Sequence, residues 1–242
     1  MSNALFNIAV RSDGTVNLTS DFKNVKLDKM TSLQHFLATF GSSFSSFETP
    51  ILPINCRKII RSSNSELYIF EYPSMYRSIK YREHVYKEVF CPRTIFVVKI
   101  ATNGNTKQLI KSHAYIVDPL TPFSVDMPLY SWCFNNYSES YGSASICWGS
   151  GANTLQNIIN GDSSGYGSIF NLYMSLGFND HLQANVNMNH FKNDNIEFDR
   201  NDEQMQRICK YLQVNKVFPM DALNKKDISI ASIIVDFTEG KF

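Results

Sequence analysis

The feature that most constrains this chain is a succession of β-forming runs, separated by turn residues, between Arg57 and Val117. Arg57–Arg61 and Glu66–Tyr72 read as a hairpin across Ser62–Ser65, and Met75–Tyr81 alternates in hydropathy. Arg93–Ile100 is dense in β-branched residues, and Lys107–Val117 returns after Asn103-Gly104, a type I′ turn pair. β-branched and aromatic side chains suit a pleated surface, and an Asn-Gly connection matches the twist of the strands it joins. The pattern predicts strands near 57–61, 66–72, 93–100 and 110–117 as antiparallel neighbours in one sheet. Asp118-Pro119-Leu120-Thr121-Pro122 ends the run.

Weaker signals surround this block. Ala4–Val10 and Thr15–Thr19 flank Ser12-Asp13-Gly14, a hairpin signal. Thr31-Ser32-Leu33-Gln34 has the form of a capping box, and Met30, Leu33, Phe36, Leu37 and Phe40 keep helical spacing up to Gly41. Downstream, helices are expected over 152–160, closed by Gly161, and over 166–176, closed by Gly177. A further helix is expected over 199–212. Asp199, Asp202 and Glu203 stand at its start and Arg207 and Lys210 near its end, an order that complements the helix dipole. Ile228–Phe237 reads as a terminal strand, with a buried helix as the alternative. The expected fold class is α+β, an antiparallel β-meander followed by helices. It is organised as a single domain over 1–242, with an N-terminal hairpin and helix elaboration over 1–50, a core over 51–180 and a C-terminal elaboration over 181–242.

Composition narrows the class. Apolar residues make up 43% of the 242 residues and charged residues 19%, enough apolar material to exclude a disordered chain. No apolar run is long enough to span a bilayer, and Met1–Phe6 lacks the basic region of a secretory signal. A net charge of +1 leaves no electrostatic footprint for nucleic acid. The cysteines, Cys56, Cys91, Cys133, Cys147 and Cys209, are widely spaced and contain no C-x-x-C. Neither a metal centre nor a cofactor is expected, and the compartment implied is a reducing cytosol in which most of these thiols are small buried hydrophobes. Charge is unevenly placed. Residues 1–120 carry 15 Lys and Arg against 9 Asp and Glu, and residues 121–242 carry 8 against 13. No Lys or Arg lies between Lys111 and Lys192, and from Thr121 to Phe191 only Asp126, Glu139, Asp162 and Asp180 are charged. A surface normally intersperses charges of both signs, so this segment is expected to be largely buried or covered by a partner.

Motifs for chemistry are sparse. Gly161-Asp162-Ser163-Ser164-Gly165 fits G-x-S-x-G, but a nucleophile elbow needs a core strand before the serine, and a helix is expected there. The five histidines form no close ligand pair, and Gly149-Ser150-Gly151 lacks the lysine of a phosphate loop. The remaining stretch runs from Pro128-Leu129 through Phe134-Asn135-Asn136-Tyr137 to Ile146-Cys147-Trp148-Gly149, between the meander and a helix. Roughly over residues 55–160, this order resembles the ubiquitin-conjugating (E2) fold. In particular it looks like the bacterial E2-like proteins of prokaryotic family D and of the PRTRC-system protein B type. Of the His-Pro-Asn tripeptide of eukaryotic E2s only the asparagine remains, with Phe134 and Asn135 in place of the other two.

The resemblance implies a carrier of a ubiquitin-like protein, loaded by an E1-like partner as a thioester on Cys147. Asn136 or Asn135 would supply a side-chain amide to the oxyanion when an amine attacks. A thiol acceptor needs exposure and thiolate character rather than a strong base, and one lost oxyanion donor typically costs ~10²–10³ in rate. A second reading belongs to another class. It is a non-catalytic structural or assembly protein of a phage or mobile element, with a protein–protein contact surface around 112–191. Neither reading calls for nucleic acid or membrane, and the expected location is the cytoplasm or a virion assembling in a host cytoplasm.

Overall fold

The structure is a computed structural model describing residues 7–10, 15–22, 25–32, 52–104, 106–137, 146–180, 182, 185–193 and 195–242. The chain divides into two compact units, Met1–Pro50 and Ile51–Phe242. The first is an antiparallel sheet in the order β1 (Asn7–Val10), β2 (Thr15–Phe22), β3 (Val25–Ser32). The hairpin expected across Asp13-Gly14 forms, with Val10 opposite Val16. Thr31 and Ser32 end a strand paired with Thr15 and Val16 rather than starting a helix. Here pairing along the whole of β2, from Thr15 to Phe22, wins over the capping-box pattern. The rest of the expected helix, 33–40, lies outside the described residues.

The second unit is built on the sheet predicted from its turns. β4 (Cys56–Arg61), β5 (Ser65–Tyr72), β8 (Thr94–Asn103) and β9 (Thr106–Ile116) are antiparallel neighbours in that order. β6 (Met75–Tyr81) and β7 (His84–Cys91) form a separate hairpin inserted between β5 and β8. β7 was not expected, because its sequence, His84-Val85-Tyr86-Lys87-Glu88-Val89-Phe90-Cys91, is too charged to stand out as a strand. The β8–β9 turn is shifted by one residue from expectation. Asn103 is the last strand residue, paired with Thr106, and Gly104 at φ 58 begins the connection.

Both faces of the four-stranded sheet are covered, which explains why β5 reads Leu-Tyr-Ile-Phe rather than alternating. One face presents Tyr68, Phe70, Phe96, Val98, Ala114 and Ile116 to a core shared with α1 (Ala152–Asn160), α2 (Ile169–Ser175) and α3 (Gln204–Asn215). The other presents Leu67, Ile69, Ile95, Val97 and Tyr115 to Ile230, Ile233 and Phe237 of α4 (Ile230–Thr238). The terminal segment is thus the helix that the sequence left as an alternative, not a strand. Ser229 caps it, accepting from the Ser232 N–H. α3 buries Met205, Ile208, Cys209 and Leu212, a helical stripe, against the β6–β7 hairpin. Its N-cap is Glu203, in a capping box with Gln206, so Asp199 and Asp202 precede the helix.

The coarse expectation, an antiparallel sheet followed by helices, is what the chain forms. The residues after β9 thread along the sheet. Ile116 and Tyr130 exchange backbone hydrogen bonds of 3.1 and 2.9 Å, and Tyr130 also bridges to Lys225. This seats Leu129, Trp132, Cys133 and Phe134 in the interior, and the absence of Lys and Arg from this stretch follows from that burial. Among the described residues no helix is long and apolar enough to cross a membrane.

Candidate functional site

Cys147 sits where the buried segment meets the first helices. Tyr137 and Ile146 form an isolated antiparallel bridge, and the Cys147 N–H donates to the Asn136 carbonyl at 2.9 Å. The backbone therefore brings Cys147 and Asn136 together although ten residues separate them. Trp148 and the 3₁₀ turn Gly149–Gly151 follow, running directly into α1. Cys147 is half-buried, whereas Cys91, Cys133 and Cys209 are buried. Burial pushes the Cys91 thiol up to about 12 and also raises Cys133 and Cys209 well above the ordinary thiol value. Cys56 is half-buried and its thiol is also raised, chiefly by desolvation. Cys147 is the one half-buried thiol at the start of a helical segment.

Both asparagine side chains are committed to backbone partners. Asn136 is 5% exposed and Asn135 1%. The Asn136 amide donates to the Gly177 carbonyl at 3.1 Å and accepts from the Asn179 N–H at 3.3 Å. Asn136 also donates its backbone N–H to the Leu182 carbonyl. The Asn135 amide donates to the Asn179 carbonyl at 2.7 Å. Both side chains thus tie the buried segment to the residues that follow α2. Asn136 further adopts φ 58, a left-handed conformation that asparagine tolerates better than other non-glycine residues.

Behind them lies a buried relay. Trp132 Nε1 donates to Tyr173 Oη at 2.9 Å, and Tyr173 donates to the Asn135 carbonyl at 2.8 Å. Burial holds the Tyr173 phenol well above its ordinary pKa, so it stays a neutral donor. Tyr173, Gly177 and Asn179 stand 38–44 residues from their partners, and nothing in the local sequence points to them. On β9, His113 Nδ1 lies 3.5 Å from Tyr137 Oη. Burial, aided by the Lys111 charge, lowers the His113 pKa to about 4.

The G-x-S-x-G segment is a loop between helices. Asp162 accepts from the Ser164 N–H at 2.7 Å and caps the 3₁₀ turn Ser163–Ser168, with α1 rather than a strand before it. The exposed surface built by α1, this turn and α2 is unusual in composition. Asn153, Thr154, Asn157, Ser164, Asn171 and Ser175 face solvent there. Asp162 is the only charged side chain between Ile146 and Asn179. A second polar feature lies at the end of β5. Glu71, itself buried, pairs with both Arg93 and Arg57, and Arg93 also donates to the Asp118 and Thr121 carbonyls. This ion triad locks the turn after β9 to the sheet.

Comparison with protein-family models, with curated proteins and with solved structures returns no match.

Proposed function

We propose that this chain is a non-catalytic structural or assembly protein, whose contact surface is the neutral polar face of α1, the following 3₁₀ turn and α2. The observation that carries the reading is that these exposed helices contribute one charge of their own, Asp162, where about a quarter to a third of surface residues would ordinarily be charged; the cations that reach this surface, Arg77 on Asn171 and Lys107 on the Gly161 carbonyl and Tyr166 hydroxyl, come from β6 and β9. Amides and hydroxyls can be covered by a partner and re-paired with it, and few ions have to be desolvated. The commitment of Asn135 and Asn136 to buried bonds favours the same reading, because it makes them part of the architecture. The setting that suits such a protein is a multi-subunit assembly of a phage or mobile element, formed in a host cytoplasm.

One observation favours a second reading. A half-buried cysteine follows a meander and a proline-containing turn and directly precedes a helical segment, the order found in the E2-like fold. In that reading Cys147 carries a ubiquitin-like protein delivered by an E1-like partner. The deciding experiment is sedimentation of the full chain, expressed together with the products of its neighbouring genes, comparing Asn157→Lys with Cys147→Ser. Assembly lost with Asn157→Lys and kept with Cys147→Ser supports the contact surface. Assembly untouched by Asn157→Lys, together with a reducible adduct that disappears in Cys147→Ser, replaces it with the carrier.

A further inference from the structure

The sequence contains two Asn-Gly pairs, Asn103-Gly104 and Asn160-Gly161, and the fold treats them in opposite ways. In an Asn-Gly pair the glycine nitrogen can attack the asparagine side-chain carbonyl, because no Cβ obstructs the approach and the glycine backbone reaches uncommon conformations. Asn160 ends α1, and the Gly161 N–H that would have to be surrendered donates to the carbonyls of Asn157 and Ile158, both at 3.2 Å. The Asn160 side-chain oxygen is also held, accepting from Gln156 Nε2 at 3.0 Å. Asn103 and Gly104 lie instead at the exposed tip of the β8–β9 hairpin. Gly104 has φ 58, and nothing lies within 4 Å of where a side chain on it would sit.

We propose that Asn103 is a site of spontaneous deamidation and that Asn160 is protected. The Gly104 nitrogen loses its proton to solvent base and bonds to the Asn103 side-chain carbonyl carbon. The side-chain nitrogen leaves as ammonia, closing a five-membered succinimide. Water then opens the ring at either carbonyl, giving aspartate or isoaspartate, with no change in oxidation state. The product places a new carboxylate four residues from Lys107. In the isoaspartate form it also adds a methylene to the backbone beside the last strand pair, Asn103 opposite Thr106.

The test is ageing of the folded full chain at mildly alkaline pH, followed by tryptic mapping. Asn103 falls in the peptide Ile100–Lys107, and Asn160 in Ser112–Lys192. The expected result is a gain of one mass unit that fragmentation places on Asn103. It should accumulate roughly tenfold or more faster than at Asn160, because Gly161 must first break its hydrogen bonds by local opening. In denaturant the two rates should converge. Asn103→Gln should abolish the gain in Ile100–Lys107. Conversion of Asn160 at the rate of Asn103 in the folded chain, or a gain that maps to Asn105, overturns the proposal.

Discussion

Replacing Asn136 with alanine tests whether that side chain belongs to the architecture or to a reaction. The substitution removes the donor to the Gly177 carbonyl and the acceptor for the Asn179 N–H. Gly177 and Asn179 are themselves exposed, so water recovers part of the loss, and this contribution sits near the low end of the ~1–3 kcal/mol cost of unmet groups. Alanine at φ 58 adds about 1 kcal/mol, because its Cβ crowds the left-handed conformation. The sum is a destabilisation of about 2–3 kcal/mol, or roughly 5–10 °C in melting temperature for a unit of this size. Asn136→Gly loses the same hydrogen bonds but suits the backbone, and should be about 1 kcal/mol less damaging than the alanine variant. Denaturant titration of the wild type and both variants measures this, with a shifted midpoint at unchanged slope. An alanine variant within about 0.5 kcal/mol of wild type, the range of ordinary surface changes, refutes the reasoning. So does a glycine variant no better than the alanine one.

In the native chain Cys147 should be alkylated by iodoacetamide well before Cys91, Cys133 and Cys209, whose burial disfavours the thiolate; peptide mapping that finds one of the buried three modified first contradicts the structure. The buried Ser112 hydroxyl has no hydrogen-bond partner among the described residues, so Ser112→Ala should stabilise by up to about 1 kcal/mol in the same titration, and a clear destabilisation would show a bond to be present. His113 is held neutral, with a pKa near 4 against an ordinary 6.5. The unfolded chain therefore binds the proton first, and stability should fall as pH drops from about 6.5 to 4 and level off below. The full span is on the order of 3 kcal/mol, and a His113→Gln variant that keeps the wild-type slope across this window would assign it to other groups.

The β4–β5 and β8–β9 pairings were legible because they are written locally, whereas β5 and β8 pair across the inserted β6–β7 hairpin. The turns between β4 and β5 and between β8 and β9 lie in the chain next to the strands they join, and β-branched residues mark the strands themselves. What was not legible depends on partners distant in sequence. β7 is a strand because β6 pairs with it and α3 covers Val89 and Cys91, not because its own residues alternate cleanly. Ile230–Thr238 is equally apolar as a strand or a helix. The choice falls to the Ser229–Ser232 cap and to the second sheet face that the helix covers. At the candidate site the cysteine and the asparagines could be picked out by residue type. The bonds to Gly177 and Asn179 depend on how the chain returns after α2, which no local pattern encodes.

The stretch without lysine or arginine shows how one sequence fact can have two physical causes. From Leu129 to Tyr137 the chain lies in the interior, where a cation would need a paired carboxylate, and the apolar core offers none. From Ala152 to Ser175 the same lack of cations falls on faces open to solvent, where burial cannot explain it. Helix propensity cannot explain it either, since lysine and arginine are good helix formers while asparagine, threonine and serine are poorer. These helices therefore give up intrinsic stability on their exposed side. The residues they use in place of lysine can satisfy both donors and acceptors of a facing surface, which is what the proposed contact requires.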